Sequence, residues 1–236
     1  MAQILNIETS TEVCSVSIAL NGQLLFKKES TDGLNHSKVL TVFIEQLLNE
    51  NNLTAKSLDA VAVSKGPGSY TGLRIGVSVA KGLCYGLDIP LISVNSLEAL
   101  GIFAAHNLDK YGLNKTENDF LFCPLIDARR MEVYTALYNL NGEEIKPVSA
   151  EIIDDQFLAG LLENQKILFF GNGAEKCKST ITHKNALFLG PQTASAEYMQ
   201  IIAEEKFRKN EFEDVAYFEP FYLKNFVATI PRNKIF

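Results

Sequence analysis

The 236-residue chain is 47% hydrophobic and carries 28 acidic against 22 basic side chains, a net charge of −6. That is enough apolar material for one large domain or two lobes of about 100 residues each. The acidic balance excludes a protein that grips nucleic acid through a globally basic surface, and no apolar run approaches the ~18 residues of a membrane-spanning helix.

Residues 2–9, 12–20 and 23–30 read as three strands, with Asn21-Gly22 as a tight hairpin turn. A helix follows over 36–51, then a buried strand over 58–65, a helix over 70–86 and a strand over 90–94. A further helix starts near Ser96, a residue type suited to an N-cap. The second half begins in the same way, with strands over 120–127, 131–139 and 145–153. Asn141-Gly142 repeats Asn21-Gly22, and Glu132-Val133 repeats Glu12-Val13 at the same separation. Glu8, at the end of the first strand, has Asp127 as its counterpart one residue out of step. Helix 154–163, strand 166–171, helix 173–182 and helix 194–208 complete the pattern. A repeated three-strand meander followed by alternating helices and strands implies two duplicated α/β lobes. The expected division is 1–106, 119–208 and a C-terminal segment 209–236, with the polar stretch 107–118 between the lobes.

Cys14, Cys84, Cys123 and Cys177 form no CxxC pair and read as reduced, buried, small apolar residues. The first twenty residues contain Glu8 and Glu12 and no basic leader, so no secretory signal is expected and cytoplasm is the expected compartment. His36, His106 and His183 lie beyond helical reach of one another, and His36 before Ser37 reads as part of a helix cap. Lys224, Arg232 and Lys234 form a basic tail that reads as solvated.

Two stretches carry candidate chemistry. Glu8, Thr9, Ser10 and Thr11 enter the first hairpin, where an acid can orient metal-bound water and small residues can let N–H groups approach phosphate. This turn contains no glycine, and a Ser/Thr turn with local hydrogen bonds is the favoured account of it. Residues 64–74, Ser-Lys-Gly-Pro-Gly-Ser-Tyr-Thr-Gly-Leu-Arg, join a strand to a helix. Gly66 and Gly68 permit a turn closed to other residues, and a helix start attracts anions. It is not a P-loop, since no Gly-Lys-Ser/Thr follows; structural turn and anion site both stay open here. Gly72, Gly76 and Ala80 form a smooth ridge on that helix, suited to close approach by its own sheet or by a partner. Leu73, Val77 and Cys84 line a second face. Helix 36–51 has a main stripe of Leu40, Phe43, Ile44, Leu47 and Leu48, with Val39 and Val42 outside it. Apolar surface beyond core needs on two neighbouring helices suggests a partner, and burial of both helices within their own lobe accounts for the pattern equally. The interface candidates are Val39, Val42, Phe43, Leu73, Arg74, Val77 and Lys81.

Together these pieces resemble the TsaB family, also called YeaZ, of bacterial tRNA threonylcarbamoyladenosine biosynthesis. The resemblance rests on Ile7-Glu8-Thr9-Ser10, His36-Ser37, the Gly-Pro-Gly-Ser-Tyr-Thr-Gly-Leu-Arg-Ile-Gly run, Ile126-Asp127-Ala128-Arg129, Gly171-Asn172-Gly173 and Pro220-Phe221-Tyr222-Leu223-Lys224. It spans almost the whole chain and is strongest over the first 100 residues. It implies an actin-like, Hsp70-like, sugar-kinase-like fold. It also implies a non-catalytic subunit that binds the catalytic paralogue TsaD through first-lobe helices, with the ATPase TsaE joining them. In TsaD two histidines four residues apart hold a metal; the matching positions here are Ser96 and Leu100, which cannot replace an imidazole pair. No metal or catalytic residue is therefore expected. No cofactor is assigned, with weak nucleotide binding between the lobes left open. tRNA contact is expected only through the complex, and a homodimer when the chain is alone. An autonomous ATPase or small-molecule kinase of the same fold is the main alternative. The glycine-free turn at Glu8–Thr11 argues against it, and no ligand set or nucleophile constellation supports a peptidase.

Overall fold

The computed structural model describes residues 2–32, 35–113 and 120–224. Strands β1 (Gln3–Glu8), β2 (Cys14–Leu20) and β3 (Gln23–Ser30) form the first meander. Asn21 and Gly22 both adopt positive φ, 52° and 75°, the twist that a two-residue hairpin loop requires. β4 (Ala60–Gly66) and β5 (Leu91–Asn95) join β1 in parallel, giving the order β3-β2-β1-β4-β5. The second sheet holds β6 (Phe120–Asp127), β7 (Glu132–Tyr138), β8 (Glu144–Ile152), β9 (Lys166–Phe170) and the short β10 (Ala186–Leu187), in the order β10-β9-β6-β7-β8. Matching β6 to β1 and so on in turn, the two orders are the same. The chain is thus two copies of one α/β design, the actin-like architecture that the resemblance implies.

Helices α1 (His36–Glu50) and α2 (Tyr70–Leu87) cover one face of the first sheet. Leu40, Ile44 and Leu47 of α1 and Val77, Ala80 and Cys84 of α2 pack on Leu5, Ile7, Val16, Val61 and Val63. Helix α3 (Ser96–His106) starts from Asn95, whose Oδ1 accepts the Leu97 and Glu98 N–H groups at 2.9 and 3.2 Å. Asn95, not Ser96, is therefore the cap, because Ser96 is already the first helical residue.

The helices are exchanged between the lobes. α3 packs its Leu97, Leu100, Ala104 and Ala105 on the second sheet, against Phe120, Phe122, Ile126 and Tyr138. Helix α5 (Gln200–Lys209) comes late in the chain, yet its Ile202 and Ala203, with Met199 just before it, pack on Ile4, Ala60, Ala62, Ile92 and Val94 of the first sheet. Ser195 Oγ donates to Glu29 Oε2 at 2.9 Å and the Ala196 N–H to Ser15 Oγ at 3.0 Å, anchoring the entry to α5 on β2 and β3. The segment after α5 runs back over the first lobe. The Glu213 N–H donates to the Leu91 carbonyl, Lys81 Nζ to the Ala216 and Phe218 carbonyls, and the Phe221 N–H to the Lys65 carbonyl.

Two expected helices shrink. Over 154–163 only α4 (Ala159–Leu162) forms. Asp154 Oδ1 takes the Gln156 N–H in a local turn, and Leu158 sits at φ 57°. Over 173–182 there is a single 3-10 turn at Glu175–Cys177, and 178–182 contains Ser179, Thr180, Ile181 and Thr182, weak helix formers. The expected helix 194–208 begins as a 3-10 turn at Ala196–Met199 before α5 takes over. Within the polar stretch 107–118, Leu108–Tyr111 forms a 3-10 turn and 114–118 lie outside the described residues; so do Arg232 and Lys234 of the tail.

Candidate functional site

The first hairpin turn is filled by the protein itself. The Glu8 carboxylate is buried, and its Oε1 accepts the Ser10 N–H at 2.6 Å and the Ser64 hydroxyl at 2.9 Å. Burial pushes this carboxyl above its ordinary range, and the Ser10 and Ser64 hydrogen bonds pull partly the other way. The start of α2 lies directly on the turn. The Ser69 N–H donates to the Ser10 carbonyl at 2.6 Å. A Cβ at Gly68 would collide with the Ser10 carbonyl oxygen, one at Gly72 with the Thr9 carbonyl oxygen and one at Gly76 with Thr9 Oγ1. Gly72 and Gly76 therefore serve approach to the chain's own turn rather than to a partner. Gly66 has φ 106° and faces Leu73 and the Phe221 carbonyl, so the C-terminal segment closes it from outside. Thr9 Oγ1 and Ser10 Oγ are buried without a hydrogen-bond partner.

His36 is buried and its Nε2 lies 3.2 Å from the Val13 carbonyl. It ties α1 to the strand that follows the first turn, and the residue before it, Asn35, makes no side-chain cap bond. His36 is thus a core contact, not a cap. Ser96 is buried, and Leu100 sits in the second lobe's core. Among the described residues no three His, Cys, Asp or Glu side chains group as metal ligands. All four cysteines are free and buried, and burial raises the Cys14 and Cys84 thiols to about 11 and Cys123 to about 12.

The outer face of α1 and α2 is open. A groove of about 390 Å³ runs between them, lined chiefly by Ile44, Leu48, Leu53, Ala55, Val79 and Leu83. Val79 also borders a second depression of about 500 Å³, with Ser37, Tyr70, Thr71, Arg74 and Ile75. Val42 is 43% exposed, while Val39 and Phe43 are half-buried against the core. Arg74 is exposed; its guanidinium lies 4.3 Å from the Tyr70 ring centroid, and its Nε donates to Tyr222 Oη at 3.1 Å. Leu73 and Val77 are buried at 1% and 5% exposure, so neither presents side-chain surface on this face. Lys81 is held by the C-terminal segment. Sequence reasoning missed Ile75, Val79 and Leu83, a four-residue repeat on α2 that was legible as a third apolar row. It also missed Tyr85, 86% exposed near the helix end.

The family model described as "TsaD: tRNA N6-adenosine threonylcarbamoyltransferase" matches residues 32–232. The tRNA threonylcarbamoyladenosine biosynthesis protein TsaB of Bacillus subtilis is 33% identical over 75% of this chain and 74% of its own length. The protein of that name from Escherichia coli is 30% identical over 96% of both. The structure of YeaZ from Pseudomonas aeruginosa superposes with a TM-score of 0.73 at 26% identity, covering 94% of this chain and all of its own. With a match of this extent on both lobes, the chain belongs to the TsaB/YeaZ family of tRNA threonylcarbamoyladenosine biosynthesis proteins, within the wider TsaD group.

Proposed function

We propose that this chain is a non-catalytic subunit of the assembly that adds threonylcarbamoyl to tRNA adenosine. It docks on the catalytic paralogue TsaD through the α1/α2 face, and the ATPase TsaE joins the pair. The observation that carries this reading is the apolar groove between α1 and α2, open to solvent, together with the exposed Val42 elsewhere on α1. A contiguous apolar surface of this kind on a water-exposed helix pair marks an interaction site. A second helix pair laid across it forms a four-helix contact. In the absence of TsaD, a second copy of the chain fills the same surface as a symmetric dimer.

Support for the non-catalytic part is chemical. The turn that would face a nucleotide phosphate is occupied by α2, and Leu100 offers no lone pair to a metal. No cofactor is proposed, and the compartment that fits a tRNA-modifying subunit is the cytoplasm. The test is assembly followed by activity. Val42→Glu is expected to fold normally and to weaken both self-association and TsaD binding in sedimentation, and to slow reconstituted tRNA modification in proportion. Unchanged assembly in both settings sinks the docking face. ATP turnover by the purified chain alone at enzymatic rates, lost in Glu8→Ala, supports the autonomous ATPase instead.

A further inference from the structure

The duplicated hairpin turn of the second lobe differs from that of the first in being open. The turn between β1 and β2 lies under α2, whereas no long helix forms over the turn between β6 and β7, because 173–182 holds only one 3-10 turn. Two consecutive arginines occupy it. Arg129 and Arg130 both have left-handed backbones, φ 73° and 51°, and both are exposed. Left-handed geometry disfavours any residue with a Cβ, and glycine or asparagine is the usual occupant.

The surrounding charges are already balanced. Asp127 is paired with Lys176, and its Oδ1 also accepts the Arg129 backbone N–H at 2.9 Å. Glu132 is paired with Lys224. Glu12 accepts from Asn172 Nδ2 at 2.7 Å. Among the described residues neither arginine side chain has a hydrogen-bond or ion-pair partner. Two positive charges are therefore left over on a protein of net charge −6. The C-terminal segment runs from this turn to the first lobe. Lys224 reaches Glu132 and lies 5.9 Å from the Tyr134 ring, and two residues earlier Tyr222 holds Arg74 at the edge of the α1/α2 face.

We infer that the Arg129–Arg130 turn is a contact for the phosphodiester backbone of the substrate RNA, at the seam between this chain and whatever docks on α1 and α2. Guanidinium groups bind phosphate oxygens bidentately, and two adjacent exposed arginines suit the repeated phosphates of an extended polyanion. The choice of RNA rests on the pathway reading above; the charge geometry does not.

The test measures binding of an unmodified tRNA transcript by fluorescence anisotropy across a salt series, with the chain assembled on TsaD and with the chain alone at low salt. The paired change Arg129→Ala with Arg130→Ala is expected to weaken binding by about an order of magnitude and to lower the salt slope by roughly 1.4–1.8, the value for two lost phosphate contacts. Arg129→Gly with Arg130→Gly relaxes the left-handed turn, so it should fold at least as well and show the same loss. The paired lysine change should keep most of the slope. Sedimentation with TsaD is expected to be unchanged in all of them, which separates this contact from the docking face. RNA affinity and salt slope that the alanine pair leaves unaltered overturn the inference, as does a loss that appears only where assembly is also lost.

Discussion

Gly72 cannot become alanine without moving the backbone of the first turn. The added methyl would meet the Thr9 carbonyl oxygen, which has no freedom to swing away as a side-chain tip would. Gly72→Ala is expected to destabilise by about 2–3 kcal/mol, as overpacking does. Gly82, on the same helix, has nothing within 4 Å of its missing Cβ. Gly82→Ala should therefore stabilise by about 0.5–1 kcal/mol through helix propensity alone. Urea unfolding of the two variants checks the pair; equal effects would mean that α2 does not lie on the turn. Glu8 makes a second residue-scale prediction. Its folded carboxyl titrates above its unfolded one because burial disfavours the charge. Its contribution is thus most favourable below the unfolded pKa and is lost as pH rises through the folded one. Glu8→Gln keeps an oxygen for the Ser10 N–H and the Ser64 hydroxyl and has nothing to ionise. Its stability relative to wild type should rise from acid pH to neutral pH. A difference flat with pH would place the folded carboxyl at its ordinary value.

Among the elements, α2 shows what a hydrophobic pattern tells and what it leaves out. Leu73 and Val77 point inward while Ile75, Val79 and Leu83 border the open face. Leu73→Ala is accordingly expected to cost about 2–4 kcal/mol of stability, as a large-to-small core change, and to leave assembly unchanged wherever the lobe is folded. Val79→Arg should abolish association at a smaller cost in stability than Leu73→Ala, since Val79 is only half-buried against the first-lobe core. Thermal unfolding and sedimentation of both variants decide it; a Val79→Arg protein that fails to fold would make Val79 a core residue. The apolar repeat said that α2 has more than one greasy side. It could not say which side meets the sheet, because the deciding contact is between glycine and the turn at Thr9–Ser10. Strands β1–β4 and β6–β8 were legible because alternation and Asn-Gly turns are local signals. The helix expected over 154–163 was not, since the Asp154 turn and the left-handed Leu158 have no signature in the apolar pattern, while the weak helix formers at 179–182 were a legible warning against helix 173–182. Among the candidate site residues, the position of Val42 off the core stripe of its helix signals its exposure, whereas no such pattern singles out Arg74. Arg129 and Arg130 were passed over because left-handed backbone has no signature in an arginine.

At the scale of the whole molecule, the exchange of α3 and α5 ties the lobes into one folding unit. The duplication is visible in the sequence, but a helix carries no mark of which sheet it will cover. Residues 1–106 contain every strand of the first sheet and both of its outer helices. They lack Met199, Ile202 and Ala203, which cover Ile4, Ala60, Ala62, Ile92 and Val94. Leaving Ile4, Ile92 and Val94 in water forgoes roughly 5–9 kcal/mol at about 1.5–3 kcal/mol for each large side chain. That is comparable with the whole stability of a typical domain, about 5–15 kcal/mol. The exposed Leu97, Leu100 and Ala104 of an unpartnered α3 would add to the deficit. A fragment of residues 1–106 is therefore expected to be expanded or aggregated. Residues 190–236 supplied in trans should restore part of the sheet-protected amide exchange, because they bring back α5 and the segment that holds Lys81 and Lys65. The intact chain should unfold in a single transition, with fluorescence and far-ultraviolet circular dichroism coinciding across the urea curve. Two separated transitions, or a fragment 1–106 that unfolds cooperatively by itself, would show that the lobes are independent and that the exchanged helices contribute little to either core.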